Sequence, residues 1–206
     1  MAVIIYILAF VGGFSIMSLE LLGGRVLAPY FGSSIYVWGS IITVFMLSLS
    51  LGYLAGGRLS LHHPSLGRFA LIFLAAAGCL YPLVHYSEAL MAWIFEHLED
   101  PRYGSLVASS ILFVVPTVIM GMISPYSVRM LVRTTEHSGQ VAGILYFVST
   151  LGSALGTLAT SFYLVLWFEI DTILLLLTGA LLAMAALAGI SALKVDGAAR
   201  SARPVS

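Results

Sequence analysis

The chain is poor in charge for its length. Only 9% of its 206 residues are Asp, Glu, Lys or Arg, whereas soluble globular domains carry about 25% charged residues. Nine basic and nine acidic residues cancel, so the chain lacks the basic surface that DNA or RNA binding requires. A single cysteine, Cys79, can form neither an internal disulfide nor a multi-cysteine zinc site. These shortages exclude an ordinary water-soluble fold and a nucleic-acid-binding protein.

The sequence also lacks the motifs of soluble enzymes. It contains no phosphate-binding glycine loop, hydrolase elbow, protease motif or pair of catalytic carboxylates. The five histidines show no zinc-ligand spacing with acidic residues or cysteine. We therefore expect no cofactor, and any enzymatic activity would need a separate domain or partner.

Long apolar runs dominate instead. Hydrophobic residues make up 60% of the chain, and its mean hydropathy is +1.05. A helix of about 20 residues crosses a bilayer, and stretches without charge predict six such helices over residues 2–19, 26–57, 69–87, 103–128, 138–168 and 172–193. The partly charged segment 86–98 is predicted to be a helix on the outer surface. The sequence thus predicts an all-α integral membrane protein, with a polytopic domain over residues 1–193 and a disordered cytosolic tail over 194–206.

The basic residues fall unevenly on the two sides of this six-span chain. Arg25 and Arg102 lie on one side, and seven lie on the other: Arg58, Arg68, Arg129, Arg133, Lys194, Arg200 and Arg203. Because cytoplasmic loops are enriched in Lys and Arg, both termini are predicted to be cytoplasmic. The expected location is the cell membrane, specifically a bacterial inner membrane, with the lipid bilayer as a partner.

The chain repeats itself at an offset of 104 residues. Residues 25–55 match residues 129–159 at eleven of thirty-one positions without a gap. Each copy holds three spans, so the copies would have opposite orientations in the membrane, as in each six-helix half of a major facilitator transporter. We therefore predict two inverted three-helix repeats, at about residues 1–98 and 103–193. The alternative is a chance similarity between two apolar helices.

Small residues recur every four positions along the second and fifth spans. They are Ser48, Gly52 and Gly56 in the second span and Gly152, Gly156 and Thr160 in the fifth. At this spacing they line one helix face and let a neighbouring backbone approach closely. We expect both stripes to be helix-packing surfaces.

Glu20 is the one charged side chain in the apolar run of the first span. A carboxylate in hydrocarbon is costly, so we expect it near the outer interface, protonated or paired. Arg25 lies about 140° further around an ideal helix, so the two side chains could meet only if Gly23-Gly24 breaks the helix. Two interpretations stay open: a carboxylate that reaches the headgroups beside an incidental arginine, or a buried Glu20–Arg25 pair that organises a polar pocket.

Aromatic residues follow this pair at a predicted membrane boundary. Tyr30, Tyr36 and Trp38 form either an aromatic belt at the headgroups or one wall of a site for a cationic ligand. Glu20, Arg25, Tyr36 and Trp38 are therefore the candidate ligand-binding residues.

The fourth span contains Pro116 and Pro125, which interrupt helical hydrogen bonding, so we expect a kink there. Four arginines are also predicted to lie at the inner surface of the membrane: Arg58, Arg68, Arg129 and Arg133. They serve either topology and lipid-phosphate binding or the docking of a cytosolic partner.

Motifs in both halves resemble those of one family. The first half carries Ser18-Leu-Glu20, Gly24-Arg25, Ala28-Pro29, Gly32-Ser33-Ser34, Tyr36, Trp38-Gly39 and Leu51-Gly-Tyr-Leu-Ala-Gly-Gly-Arg58. The second half carries Ser124-Pro125, Arg129, Ser138-Gly139, Gly143, Tyr146 and Thr150-Leu-Gly-Ser-Ala-Leu-Gly-Thr157. Over roughly residues 5–165 the chain resembles the membrane region of transmembrane spermidine-synthase-like proteins, which are also described as fused major facilitator and spermidine synthase proteins.

The resemblance implies a multi-span domain that works with a cytosolic Rossmann-like domain, which transfers an aminopropyl group to a polyamine. This sequence has no strand–Gly-x-Gly-x-Gly segment and no acidic catalytic loop, so a separate transferase chain would have to supply that chemistry. The chain would then be a membrane subunit that anchors or feeds this partner, or a chain that has lost the partner altogether. Two other interpretations stay open: a transporter or half-transporter for a small cation such as a polyamine, dimerising around Glu20, and a structural scaffold.

Overall fold

The computed structural model describes residues 1–61, 64–132 and 137–201, with residues 196–201 described by their backbone alone. Within these ranges the regular structure is entirely helical. In chain order the elements are α1 (Ala2–Phe31), α2 (Ile35–Ser60), α3 (Leu66–His97), α4 (Pro101–Gly121), α5 (Ile123–Leu131), α6 (Ser138–Ala159), a π-helical turn (Thr160–Leu164), α7 (Val165–Trp167) and α8 (Ile170–Ser201).

Six helical segments of the described chain are long and apolar enough to cross a membrane. They span 26 to 32 residues, and the mean hydropathy of their most apolar parts ranges from 1.6 to 2.5. The helices α4 and α5 together form one segment, and α6, the π-helical turn and α7 together form another. The structure therefore agrees with the predicted six spans of a multi-pass membrane protein.

The fourth segment is interrupted where the sequence predicts a kink. The break between α4 and α5 falls at Met122, immediately after Gly121. Pro125 lies four residues beyond Gly121 and has no N–H to donate to the Gly121 carbonyl, and its ring crowds that carbonyl. The interruption follows from this proline, whereas Pro116 is accommodated inside α4.

Gly23 and Gly24 do not break the first helix, which continues to Phe31. Instead, both glycines allow close contacts between α1 and other helices. A Cβ on Gly23 would lie 3.1 Å from the ring of Phe113, and one on Gly24 would lie 2.7 Å from the ring of Trp38. Glycine occurs here because aromatic rings pack directly on the helix backbone.

The predicted surface helix at residues 86–98 is not a separate element. The helix α3 runs unbroken from Leu66 to His97 with Pro82 inside it. Buried positions continue at helical spacing on both sides of the proline, at Leu80, Leu83, Ser87, Met91 and Ile94. That prediction was wrong because the buried stripe extends past the charged residues, which occupy the other faces.

The final helix also runs further than the sequence suggests. It ends at Ser201, whereas a disordered tail was predicted to begin at residue 194. The segment 191–199 has three alanines, the residue with the strongest helix propensity, so the helix can continue beyond the apolar span. Residues 202–206 lie outside the described chain.

The bundle is built from three helix pairs. They are α1 with α6, α2 with α4, and α3 with α8. The helix α1 also contacts α2, α3, α4, α5 and α8, so it is central in the bundle. By contrast, only 17% of the most apolar part of the fifth segment is buried, so α6 forms one flank.

Both stripes of small residues lie at the contacts of these pairs. On α6, a Cβ at Gly152 or Gly156 would collide with the carbonyl of Phe10 or Phe14 on α1. On α2, a Cβ at Gly52 would collide with the carbonyl of Val118, and one at Gly56 would lie 2.6 Å from that of Met122. Ser48 is buried on the same face of α2. The two pairs thus pack backbone against backbone, as small-residue stripes allow.

Hydroxyl groups add hydrogen bonds to the α1–α6 contact. Thr160 Oγ1 donates to Ser18 Oγ at 2.9 Å, and Ser153 Oγ donates to the Gly13 carbonyl at 3.2 Å. In membrane proteins such bonds contribute about 0.6 kcal/mol on average. Close packing therefore stabilises this pair more than its polar contacts do.

The α1–α6 contact should be sensitive to a single methyl group. We expect Gly152→Ala to destabilise the protein by about 1–3 kcal/mol, because the added Cβ must displace backbone rather than a flexible side chain. Gly143→Ala is the matched control on the same helix, since a Cβ there meets nothing within 4 Å. The free energy of unfolding, measured by denaturant titration in detergent, checks both variants. Equal values for the two would contradict the described packing.

Candidate functional site

The two ends of the bundle differ in charge. The end at which α1 begins and α2 terminates, here called the basic end, carries Arg58, Arg68, Arg129 and Lys194. The opposite end, here called the acidic end, carries Glu96, Glu99, Asp100, Glu169 and Asp171 together with Arg25 and Arg102. These names are used below for directions along the helices.

Glu20 lies well inside α1. It is 18 residues from the beginning of the helix and 11 residues from its end, or about 27 Å and 16 Å along the axis. The side chain is partly buried. Within the described chain it makes no hydrogen bond or ion pair. Glu20 is therefore an interior residue of this helix, about three turns from its end.

Glu20 and Arg25 do not form the pair that the sequence allowed. Because α1 stays regular through Gly23 and Gly24, the two side chains leave the helix about 140° apart. Arg25 is exposed, and the one ion pair among the described residues joins Arg102 to Asp100 at 2.8 Å. The buried-pair interpretation was wrong, and each of the two groups must be considered separately.

A cavity of ≈ 490 Å³ lies between α1, α2, α5 and α6 and is here called the central cavity. On α1 it is lined by Gly13, Ile16 and Met17. Its remaining walls are rich in hydroxyl groups, which come from Tyr53, Ser124, Tyr146, Ser149, Thr150 and Ser153. Together these hydroxyls can replace part of the hydration of a polar solute.

A second cavity, of ≈ 310 Å³, lies nearer the acidic end. It is bounded by Gly24, Arg25 and Ala28 of α1, by Ser33 and Trp38 at the beginning of α2, and by Thr160, Ser161 and Val165. The π-helical turn supplies part of this wall, and such turns are frequent at functional sites. Arg25 also lines an adjoining cavity of ≈ 410 Å³ with Glu169 and Asp171.

Helical periodicity places Glu20 on the flank of α1 that faces the central cavity. Glu20 follows Ile16 and Met17 by four and three residues, and it precedes Gly24 by four. Residues at these spacings share one helix face. Glu20 therefore lies one turn beyond the central cavity in the direction of the acidic end, and Gly24 lies one turn further.

The aromatic candidates separate in the structure. Trp38 is partly buried against Gly24. Tyr36 is exposed, and its ring lies 6.0 Å from the Arg102 guanidinium carbon. Tyr36 lines neither of the cavities beside Glu20. The position of Tyr36 fits an aromatic residue of the membrane boundary, whereas Trp38 belongs to the cavity system.

The hydroxyl residues of the central cavity were missed by the sequence reasoning. On α6 they occur at positions 146, 149, 150 and 153, which is helical spacing and forms one polar stripe in an apolar segment. That periodicity was a readable signal. Tyr53 has no comparable signal, because its role depends on the approach of α2 to α5 and α6 around the cavity.

The arginines proposed for docking are exposed at the basic end. This holds for Arg58, Arg68 and Arg129, whereas Arg133 lies outside the described residues. Arg129 lines a cavity of ≈ 420 Å³ with Ser65 and Gly67 at the beginning of α3. Among the described residues, no group of three His, Cys, Asp or Glu side chains is arranged to hold a metal ion.

No family model, curated protein or solved structure matches the chain.

The Asp100–Arg102 pair at the acidic end should make stability depend on pH. Side-chain hydrogen bonds from Arg102 hold the pKa of the exposed Asp100 carboxyl below its usual range, and Asp100 also caps α4 through the Arg102 amide. A lowered pKa stabilises the fold above the unfolded-state value of about 3.9, and the stabilisation is lost as pH falls through the folded-state value.

We expect Asp100→Asn to have a lower unfolding temperature than the original chain at pH 7, and the difference to shrink below pH of about 3.9. Asparagine is also a good helix cap, so this variant tests the charge rather than the cap. Circular dichroism melts at several pH values measure the effect, with Glu99→Gln as the control. A difference that is constant with pH would argue against the ion pair.

Proposed function

We propose that the chain is a membrane transporter, or one half of a transporter, for a small organic cation such as a polyamine. The observation that carries the proposal is the position of Glu20, a carboxyl without a described partner, between two cavities along one side of α1. The central cavity lies toward the basic end, and the second cavity lies toward the acidic end.

The physical argument starts from the cost of an intramembrane carboxylate. Such a group is retained where it pairs with something, and ionisable residues inside spans therefore mark ion and substrate paths. A cationic amine that reaches Glu20 would gain the Coulomb attraction that no described side chain supplies. The hydroxyls of the central cavity would bind its N–H groups, and the rings of Tyr53 and Tyr146 would add cation–π attraction.

The inverted repeat belongs to the same proposal, and its support is a matched pair of contacts. Gly52 of α2 packs on the carbonyl of Val118 of α4, and Gly156 of α6 packs on the carbonyl of Phe14 of α1. The shift of 104 positions that relates Gly52 to Gly156 also relates Phe14 to Val118. The similarity in sequence thus extends to which residues touch.

A second contact follows the same rule. Gly56 packs on Met122, and the equivalent positions are Thr160 and Ser18, whose hydroxyls are hydrogen-bonded at 2.9 Å. Pairing of the second helix in each half with the first helix of the other half is what a two-fold axis in the membrane plane would produce. We infer two inverted three-helix repeats, as in each half of a major facilitator.

The membrane orientation is inferred from charge. Arg58, Arg68, Arg129 and Lys194 would place the basic end in the cytoplasm of a bacterial cell. A second copy of the chain would complete the transporter by covering the flank of α2 and α6, where Tyr53 and Tyr146 remain about half exposed, at 48% and 54%. The cavity would then be closed by two equivalent halves.

A cytosolic partner is the second candidate role, and it is compatible with the first. It is favoured by the exposure of Arg58, Arg68 and Arg129 at one end of the bundle. The likeness to spermidine-synthase-like membrane regions suggests a Rossmann-like aminopropyltransferase as the occupant. The membrane subunit would then anchor this enzyme and supply its polyamine.

Uptake into proteoliposomes tests the transport proposal. We expect the original chain to accumulate radiolabelled spermidine, and Glu20→Gln to reduce the initial rate at least tenfold, which corresponds to about 1.4 kcal/mol, because the neutral amide cannot pair with the amine. Glu96→Gln, a change of an exposed carboxylate near the end of α3, is the control and should leave uptake unchanged. Absence of uptake by the original chain, or equal rates for Glu20→Gln and the original, would refute the proposal.

Purification in mild detergent from the native cells tests the docking role. A transferase chain should be recovered at equal stoichiometry, and the double change Arg58→Glu and Arg129→Glu should release it by reversing the charge of the surface. Arg102→Glu, at the acidic end, should retain the partner. If no such chain is recovered with the original protein, the docking role fails while the transport proposal stands.

A further inference from the structure

The ring of Trp38 packs directly on Gly24 of α1, a contact that only glycine allows and that is here called the seat. A Cβ on Gly24 would lie 2.7 Å from Cη2, 2.9 Å from Cζ2 and 3.3 Å from Cζ3 of the Trp38 ring. The outer edge of the indole therefore rests directly on the α1 backbone. At Gly24 even an alanine would force the ring away from the helix.

This seat lies between Glu20 and the acidic end. Gly24 is one helical turn beyond Glu20 on the same flank of α1. Trp38 forms part of the wall of the second cavity, as do Gly24 and Arg25. The central cavity, one turn on the other side of Glu20, includes none of these three residues. Trp38 therefore forms cavity wall against the turn of α1 that follows Glu20.

Trp38 lies close to the N-terminal end of α2. It stands in the first turn of α2, and the preceding Ser34 makes no side-chain cap to that helix. Gly32, just before it, has a φ of 73°, a backbone conformation that glycine adopts readily. A Cβ on the neighbouring Gly39 would meet nothing within 4 Å.

The second copy of the repeat has no equivalent ring at the matching position. The shift of 104 positions relates Trp38 to Ala142 and Gly24 to Val128, so the second copy has neither the indole nor its seat.

We propose that Trp38 is a gate: seated on Gly24, its indole closes the access to Glu20 from the acidic end, and its departure from Gly24 opens that access. The inference rests on the proposed transport path and adds the residue that controls one side of it. The described structure is then the state in which access from the acidic end is closed.

Cysteine accessibility tests the gate without requiring transport. In a Cys79→Ala background, Glu20→Cys introduces a single thiol, and a membrane-impermeant maleimide is added to the acidic side of oriented vesicles. We expect slow labelling while Trp38 is present, and an increase of at least tenfold in the labelling rate with Trp38→Ala. Gly24→Ala, which keeps the indole but removes its seat, should increase the rate in the same direction. Tyr36→Ala, an aromatic change two residues away, should leave it unchanged.

Equal labelling rates with and without Trp38 would overturn the gate, as would fast labelling in the original background. If Trp38→Ala elutes as an aggregate in size-exclusion chromatography, Trp38→Phe and Gly24→Ala take its place. An unchanged labelling rate in both of these variants would also overturn the gate. The two proposals can fail separately. If Glu20→Gln loses spermidine uptake but Trp38→Ala leaves the labelling rate unchanged, the transport proposal stands and the gate is rejected. If Trp38→Ala raises the labelling rate but the original chain shows no uptake, the gate stands and the transport proposal is rejected.

Discussion

The architecture depends on close contact between helix backbones at two places. Gly152 and Gly156 bring α6 onto the carbonyls of α1, and Gly52 and Gly56 bring α2 onto those of α4 and Met122. In lipid there is no strong hydrophobic drive to associate apolar helices, so dispersion contacts at short range must hold them together. These contacts determine where α2 and α6 lie around α1, and therefore where the space between those helices is left open.

The space left open between these helices lies one helical turn from Glu20. The same helices that pack so tightly elsewhere diverge enough beside α1 to leave the central cavity, whose hydroxyl groups come from α2, α5 and α6. A partly buried carboxyl one turn away can be offset by a cation that enters this space. Arg25 does not fill that role, because regular helix geometry turns it away and it faces the cavity beside Glu169 and Asp171. The arrangement of helices that brings α2 and α6 into close contact with their partners thus also leaves the cavity that we propose as part of the transport path.

Local patterns predicted much of this fold. Charge-free runs located six spans, Pro116 and Pro125 predicted a kink in the fourth span, and the spacing of small residues indicated two faces that the structure places at helix contacts. The boundaries were less predictable, because the surface segment proposed at 86–98 proved continuous with α3. The charged residues there occupy exposed faces, whereas Met91 and Ile94 continue the buried stripe. Charge counted along the sequence does not reveal which face carries it.

The sequence by itself determined that the chain is an apolar multi-helix protein with one carboxyl inside its first span, since hydropathy and charge are properties of each segment alone. The tertiary structure alone decided which groups surround that carboxyl. It separated Glu20 from Arg25, moved Tyr36 beside Arg102 and seated Trp38 on Gly24. The reason is geometric: the direction of a side chain is known from helical periodicity only relative to its own helix, and its neighbours depend on how six helices pack.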